Sequence, residues 1–317
     1  MFATQPPPPI WARTPPSLGP VCLGLLGAGL AWRAAGPALG APDGVGALWI
    51  GLALAALALC LGLYGGRAAR PGALVFDLKM PPGRGAVPAF SMALMLAGAA
   101  LIPLSAMAAT AVWAIGVLAH GALAALLLRE LLAAPPEGRP ATATLLVPFA
   151  GQLVAPLAGV PLGFPGVSWA LFALGIVVWL ALTPAILRRL ARVSVPPPMR
   201  PGAFILLAPP AIALVALERL DPGGPLLWPL FAASCLTLAG LLAHARWLTE
   251  GGWTPAWGAF TFPSAAFAAA CLVMAERQLG PTWDWLAAAA LTAASLVVLY
   301  VALRTGEAWA KGELAAR

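Results

Sequence analysis

The sequence predicts an all-α integral membrane protein of ten transmembrane helices, and two observations carry this prediction. The first is composition: the 317 residues are 61% hydrophobic and only 9% charged, with a mean hydropathy of +0.91. Because about a quarter of the residues of a globular chain are normally charged, a soluble globular enzyme is excluded. The second is that the charges divide the chain into apolar windows, each long enough for the roughly 20 residues that a spanning helix needs.

Eight charge-free windows give the ten spans in order. Six windows fit one span each: 14–32, 44–66, 201–217, 222–245, 251–275 and 285–303. Two longer windows, 85–128 and 140–187, fit two spans each, and we place their breaks at Pro103 and at residues 163–166, because proline and glycine interrupt helices. We therefore expect an N-terminal tail at 1–17, a transmembrane domain at 18–304 and a C-terminal tail at 305–317.

The basic residues predict the orientation of these spans. If the spans alternate in direction, one side of the membrane carries three of the 18 Lys and Arg residues, Arg33, Arg219 and Arg277. The other side, which includes both termini, carries the remaining 15. They are Arg13, Arg67, Arg70, Lys79, Arg84, Arg129, Arg139, Arg188, Arg189, Arg192, Arg200, Arg246, Arg304, Lys311 and Arg317. Because cytoplasmic loops are enriched in Lys and Arg, both termini are predicted to be cytoplasmic. The alternative for the first span is a cleaved signal peptide ending near residues 38–41.

Several other functions find little support in the sequence. The basic residues are scattered, which disfavours a nucleic-acid partner. The four cysteines, Cys22, Cys60, Cys235 and Cys271, lie inside predicted spans without paired spacing, so neither a disulfide framework nor a metal site is indicated. Asp-rich metal motifs and a His-Glu-x-x-His motif are absent from the sequence. We predict neither an enzyme nor a cofactor.

Prolines recur in the odd-numbered spans. Pro20, Pro88, Pro148, Pro209 and Pro263 are separated by 68, 60, 61 and 54 residues. A period of this size indicates repeated supersecondary units, here five pseudo-symmetric helical hairpins. Because proline kinks a spanning helix where neighbours or a cavity satisfy the backbone, five such helices at one depth suggest a central pore. The alternative is the general enrichment of proline in membrane helices.

The odd-numbered spans carry no charged residue at membrane depth, so a conduit through them would depend on hydroxyl groups, helix dipoles and shape. Without an acidic ring, anions or neutral solutes fit better than cations. Tight helix packing without a conduit explains each glycine equally well. The candidate pore-lining residues are Gly24, Gly27, Ser91, Gly98, Gln152, Thr261 and Ser264.

His120 is the one candidate for a titrating group at membrane depth. It lies nine residues before Arg129 in an even-numbered span, which places it about 13 Å deeper along a helix. A structural histidine and a proton-coupling histidine both remain open. A scaffold without any conduit is a third class of function.

The ninth span contains a distinctive string, Trp257-x-x-Phe260-Thr261-Phe262-Pro263. This string resembles the ninth-helix motif of the tellurite-resistance and dicarboxylate transporter family, which includes the bacterial TehA-like channels and the slow anion channel of plant guard cells. Residues 29–32 and 91–96 are also similar to family members, and the resemblance extends over the whole chain.

The resemblance implies a passive channel for small inorganic or organic anions in a bacterial inner membrane. It implies a homotrimer, embedded in the lipid bilayer, in which each subunit has its own pore lined by the five odd-numbered helices. The phenylalanine that closes the family's pore matches Phe262, with Pro263 beside it setting the kink. The alternative function is a proton-coupled carrier of dicarboxylates or of oxyanions such as tellurite or sulfite.

Overall fold

The computed structural model describes residues 9–314, and every regular element in that range is a helix. The α-helices are α1 (Leu18–Leu39), α2 (Asp43–Ala68), α3 (Ala73–Lys79), α4 (Gly83–Leu101), α5 (Ala106–Ala133), α6 (Leu146–Ala150), α7 (Pro156–Gly159), α8 (Pro165–Arg192), α9 (Ala208–Leu220), α10 (Leu227–Ala243), α11 (Ala245–Thr249), α12 (Thr261–Ala275) and α13 (Pro281–Ala310). Short 3-10 helices precede α6, α9 and α12, at Ala143–Leu145, Pro197–Leu207 and Pro255–Phe260. The all-α membrane fold class is confirmed.

Eight helical stretches in the described part of the chain are long and apolar enough to cross a membrane. Two shorter apolar stretches, Ala143–Gly159 and Leu227–Ala243, lie at the predicted fifth and eighth spans. We call Ala143–Gly159 segment five; it consists of short 3-10 and α-helical turns. The count of ten spans stays a prediction.

The predicted N-terminal and C-terminal tails are only partly covered by the described residues. Residues 1–8 of the predicted N-terminal tail, and Arg317 of the predicted cytoplasmic charges, lie outside the described residues. The last helix, α13, continues past residue 304 as far as Ala310. The predicted boundaries of the tails stay predictions.

The spans form an inner and an outer layer. In α1, α4, Pro197–Leu220 and Pro255–Ala275, between 67% and 83% of the best 18-residue window is buried. In α2, α5, α8 and α13, the buried share is only 17–33%. The inner layer therefore consists of odd-numbered predicted spans, and the outer layer consists of even-numbered ones.

The inner layer closes on itself. Helix α1 contacts α4, α4 contacts segment five, segment five contacts α9, α9 contacts α12, and α12 returns to α1. We call these five elements the inner ring. Each is also packed against the helix that follows it, as in the pairs α1 with α2, α4 with α5 and α12 with α13. This arrangement agrees with five hairpins around one axis.

The repeated prolines mark places where an α-helix begins. Pro20, Pro148, Pro209 and Pro263 each lie within the first three residues of an α-helix, whereas Pro88 lies inside α4. First-turn N–H groups have no partner within their own helix, so proline is tolerated there without the loss of a hydrogen bond. Four of the five prolines therefore start an α-helix, three of them directly after a 3-10 helix, and only Pro88 interrupts a continuous one.

A cluster of charged and polar groups fixes one end of the bundle. Arg67 pairs with Asp77 at 2.6 Å and donates to the Thr14 carbonyl at 3.1 Å, and the Tyr64 hydroxyl donates to Asp77 at 3.0 Å. Burial raises the pKa of the Asp77 carboxyl, although the Arg67 guanidinium and the Tyr64 hydrogen bond oppose this shift. The cluster joins the N-terminal segment, α2 and α3 at the side predicted to be cytoplasmic.

Candidate functional site

Phe262 belongs to the inner ring and lies where α12 meets α1. It is the second residue of α12, directly after the 3-10 helix Pro255–Phe260, and only 5% of its surface is exposed. Its ring lies against α1, since a Cβ atom added to Gly27 would be 3.1 Å from Cδ2 of Phe262. The same added Cβ atom at Gly27 would lie 3.2 Å from the methyl group of Ala265. The side of α1 that meets the ring is therefore formed by a residue without a side chain.

Thr261 binds α12 to α1 beside this ring. Its hydroxyl lies 2.8 Å from the Pro20 carbonyl and 2.7 Å from the Gly258 carbonyl, so its single proton is shared between two acceptors. A Cβ atom at Gly24 would be 2.3 Å from Cβ of Thr261, a distance at which the backbones can approach only because Gly24 has no side chain. The two helices are thus held in direct contact at the level of Phe262.

Pro263 and Ser264 follow in the same helical turn. The missing N–H of Pro263 costs no hydrogen bond, because Pro263 is the third residue of α12. The Ser264 hydroxyl donates to the Phe260 carbonyl at 2.7 Å, across the junction between the 3-10 helix and α12. This bond satisfies a backbone acceptor at the junction.

The remaining predicted residues lie elsewhere in the inner ring. The Ser91 hydroxyl donates to the Pro88 carbonyl at 2.7 Å and contacts Nδ1 of His120 at 2.9 Å. The amide of Gln152 donates to the Phe149 carbonyl at 2.9 Å. Gly98 faces the outer helix α5, because a Cβ atom there would be 2.7 Å from Cβ of Trp113.

The structure thus brings together four of the nine predicted residues, Gly24, Gly27, Thr261 and Phe262, where α1 meets α12, and Pro263 follows Phe262 in α12. Ser264 lies one residue further along α12. Ser91 lies on α4 and Gln152 on segment five, and Gly98 lies on α4 at its contact with α5. For Gly98 the geometry favours packing within a hairpin, while the pore-lining roles stay predictions.

Sequence reasoning missed an aromatic cluster just before the start of α12. The rings of Phe204 and Phe260 meet edge to face with centroids 4.8 Å apart, and Trp257 packs against Phe260 at 5.2 Å. This cluster connects the 3-10 helices that precede α9 and α12. The Trp257-x-x-Phe260 spacing was visible in the sequence, but Phe204 is distant in the chain and gave no sign of the contact.

Helices α1 and α4 carry one charged residue each, Arg33 and Arg84, and the two arginines lie at opposite ends of α4. Arg84, in the first turn of α4, is buried and donates to the carbonyls of Lys79 and Gly138 at 3.1 and 3.0 Å. Near the other end, Arg33 of α1 donates to the carbonyl of Ala100 at 3.0 Å. Neither helix contains an acidic residue. The charged residues that belong to these two helices are therefore both positive, which favours anions over cations near them.

Comparison with known proteins identifies the family of this chain. The family model described as voltage-dependent anion channel, SLAC1, matches residues 13–306. The search of curated proteins found no match. The family match includes the whole inner ring and confirms the resemblance seen in the ninth span. The chain therefore belongs to the SLAC1 family of voltage-dependent anion channels, a family of multi-pass membrane proteins of the anion channel or transporter class.

Proposed function

We propose that this chain is a passive channel for small anions, of the TehA-like kind, in which Phe262 closes a conduit through the inner ring. The observation that carries the proposal is the position of Phe262. Phe262 is buried on α12, one of the five elements of the closed inner ring, where it lies against Gly27 of α1 at a junction between a 3-10 helix and an α-helix. A bulky ring at such a point blocks a narrow apolar passage.

The neighbours of Phe262 allow this ring to act as a movable gate. On the side of α1 it meets Gly27, which has no side chain, and Ala265 on its own helix is small. A change of rotamer would shift the ring without moving a helix, since staggered side-chain rotamers are separate energy wells. Thr261 and Pro20 hold the backbone while the side chain moves.

Charge determines which ions would pass. The inner helices α1 and α12 carry one charged residue between them, Arg33, and segment five carries none. Glu218 of α9 is neutralised by Arg277 at 2.8 Å. The resulting electrostatic potential is neutral to positive along the ring, which suits anions. Selectivity among anions would then follow from radius and dehydration cost.

Anion flux from liposomes tests this proposal. We expect Phe262→Ala to raise chloride and nitrate efflux at least about tenfold over the wild type, because truncation removes the ring that fills the passage. Phe267→Ala is the matched control: Phe267 lies on the same helix and is also buried, but its ring stacks on that of Phe231 of α10, with centroids 6.4 Å apart. Equal efflux from the two variants would contradict the gate.

The second candidate function is a proton-coupled carrier of dicarboxylates or of oxyanions such as tellurite or sulfite. One observation favours it: His120 of the outer helix α5 forms a hydrogen bond with Ser91 of the inner helix α4. A change in the protonation of His120 would therefore alter a contact of the inner ring. A carrier predicts uptake that saturates and follows a pH gradient. It also predicts that His120→Gln abolishes this dependence, whereas a channel predicts flux set by the anion's equilibrium potential alone.

We further propose that both termini are cytoplasmic, in a bacterial inner membrane, and that three chains assemble. The charge distribution supports the orientation, and so does the proximity of the two ends of the chain: a Cβ atom at Gly312 would be 3.0 Å from Arg13. Labelling of a cysteine placed at Ser194, compared with one at Gly223, would report the two sides of the membrane. Light scattering of the purified protein would report the number of chains.

A further inference from the structure

An apolar recess opens on the outer surface of the bundle between α5 and α8. Its volume is about 260 Å³, and Met95 of α4 and Phe149 of segment five line its inner side. Leu174 of α8 lines it as well and is 53% exposed, and Gly121 on the α5 wall is also exposed. The recess therefore opens away from the inner ring, on the face of the two outer helices.

The recess lies near the middle of both outer helices. Helices α5 and α8 have 28 residues each, which gives about 42 Å at 1.5 Å per residue and matches a bilayer with its headgroup regions. The residues that line the recess fall within 117–124 of α5 and 171–178 of α8. A hydrocarbon chain that enters the recess would therefore reach the centre of the bilayer.

The C-terminal ends of α5 and α8 lie on the same side of the bundle. Arg84, at the start of α4, donates to the carbonyl of Gly138, just beyond the end of α5. A Cβ atom added to Gly85 would be 3.3 Å from Cβ of Thr144, and one added to Gly202, in the 3-10 helix that follows α8, would be 3.9 Å from Cγ2 of Thr144. Both outer helices thus run from the recess to one membrane face, the face predicted to be cytoplasmic.

Two arginines lie on the side of α8 that faces the recess, close to that membrane face. Arg189 and Arg192 follow Val178, which lines the recess, by 11 and 14 residues. At 100° per residue they point within about 40° of its direction. They lie about 17 and 21 Å further along the helix, which is the height of the lipid headgroups when Val178 is near the bilayer centre.

The two guanidinium groups are available to a ligand. Arg192 is exposed and Arg189 is half-buried. Neither has a carboxylate within 4 Å among the residues that the structure describes. Membrane orientation alone accounts for arginines at this end of α8, but it does not require two of them to be aligned with an apolar recess one leaflet below.

This combination of charge and apolar space restricts the ligand. Arginine binds phosphate oxygens through its paired N–H donors, and basic pockets between membrane helices bind anionic lipid headgroups. A free phosphate would leave the recess empty, and a zwitterionic lipid would bring a positive group to the two arginines. An anionic phospholipid satisfies both the arginines and the recess.

We propose that the surface between α5 and α8 binds one anionic phospholipid, with its phosphate at Arg189 and Arg192 and the end of an acyl chain in the recess. Pro148 and Phe149 line the recess and belong to segment five, the least regular element of the inner ring. The lipid therefore contacts the inner ring from outside, at a place separate from Phe262. The proposal does not depend on the gate.

The test is native mass spectrometry of the purified full-length protein, titrated with dioleoyl phosphatidylglycerol or with dioleoyl phosphatidylcholine. Glycerol 3-phosphate is the third probe, because it carries a phosphate without acyl chains. The charge variant is Arg189→Gln/Arg192→Gln. Its control is Arg246→Gln/Arg304→Gln, which removes two exposed charges on the same predicted side but outside α5 and α8.

A second pair of variants tests the recess. Gly121→Leu fills it, because Gly121 lies on its wall and a Cβ atom there would meet nothing within 4 Å. Gly240→Leu is the control: Gly240 of α10 also has nothing within 4 Å of an added Cβ atom, and it does not line the recess.

We expect the wild type to bind the first phosphatidylglycerol at least about tenfold more tightly than phosphatidylcholine, the order of effect that two arginines near a membrane surface supply. Arg189→Gln/Arg192→Gln is expected to lose this preference and its control to keep it. Gly121→Leu is expected to weaken phosphatidylglycerol binding at least about tenfold, and Gly240→Leu to leave it unchanged.

Four results would overturn the proposal. They are equal binding of the two lipids to the wild type, an equal loss of preference in both double arginine variants, unchanged phosphatidylglycerol binding to Gly121→Leu, and binding of glycerol 3-phosphate as tight as that of the lipid. The last result would show an anion site without an acyl-chain site.

Discussion

The close approach of α1 and α12 at Gly24 gives a prediction that can be worked out from distances. In Gly24→Ala, the new Cβ atom would lie 2.3 Å from Cβ and 2.5 Å from Oγ1 of Thr261, and 3.2 Å from the backbone nitrogen of Phe262. Ordinary van der Waals contacts begin at 3.4 Å, so the helices must separate by about 1 Å. Overpacking of this kind typically costs about 1–3 kcal/mol.

This cost is measurable as a shift in Tm. At roughly 2–4 °C per kcal/mol for chains of 150–250 residues, Gly24→Ala is expected to lower Tm by about 2–12 °C in a thermal unfolding assay in detergent. Gly51→Ala is the control, because Gly51 lies inside α2 with nothing within 4 Å of an added Cβ atom, and alanine is favoured over glycine in a helix by roughly 0.5–1 kcal/mol. A Tm for Gly24→Ala equal to or above that of Gly51→Ala would refute the close contact between α1 and α12.

Three further predictions concern single side chains. Trp113→Phe is expected to lower the free energy of unfolding by about 1 kcal/mol in denaturant titrations, because it removes the 3.0 Å hydrogen bond from the indole to the Ala155 carbonyl; an unchanged midpoint would contradict the bond. Asp77→Ala is expected to lower Tm more than Glu313→Ala does, since it leaves Arg67 partly buried without its carboxylate; equal Tm values would show that the pair contributes nothing. Burial raises the pKa of Glu276, so the folded state favours the protonated carboxyl. The stability that the protonated carboxyl contributes is fully present at a pH below the pKa of Glu276 in the unfolded chain, and it is lost as the pH rises through the pKa in the folded chain. The Tm of Glu276→Gln minus that of the wild type is therefore expected to increase from pH 4 to pH 7. A Tm difference that does not change with pH would contradict the raised pKa.

The sequence predicted the fold through local features. The break placed at Pro103 lies between the end of α4 at Leu101 and the start of α5 at Ala106, and the break at 163–166 contains the start of α8 at Pro165. Proline and glycine act on the backbone at their own positions, which makes such boundaries readable. The two layers are also visible in the sequence, because the outer helices have a higher hydropathy than the inner ones.

The sequence did not predict which residues pack against each other. Gly24 and Gly98 are both glycines in odd-numbered spans, yet the first faces Thr261 of the inner ring and the second faces Trp113 of the outer helix α5. The bond between Ser91 and His120 joins residues 29 positions apart and has no counterpart in periodicity. Contacts of this kind depend on how helices rotate against each other, which composition and spacing do not determine.

The role of Phe262 was available only from the resemblance of the ninth span to known channels. From side-chain chemistry, a phenylalanine in an apolar helix predicts packing and nothing more. The structure adds its position within the inner ring, against Gly27. It is this position that makes the proposed gate specific enough to test against another phenylalanine of the same helix.

The most direct test of the gate is the reversal potential of the current through Phe262→Ala in a planar bilayer with a chloride gradient. An anion conduit closed by Phe262 predicts little current in the wild type and in Phe267→Ala, and a large current in Phe262→Ala that reverses at the equilibrium potential of chloride, whatever the pH gradient. A silent Phe262→Ala, or a current that reverses at the potential of the cation, would contradict an anion conduit closed by Phe262.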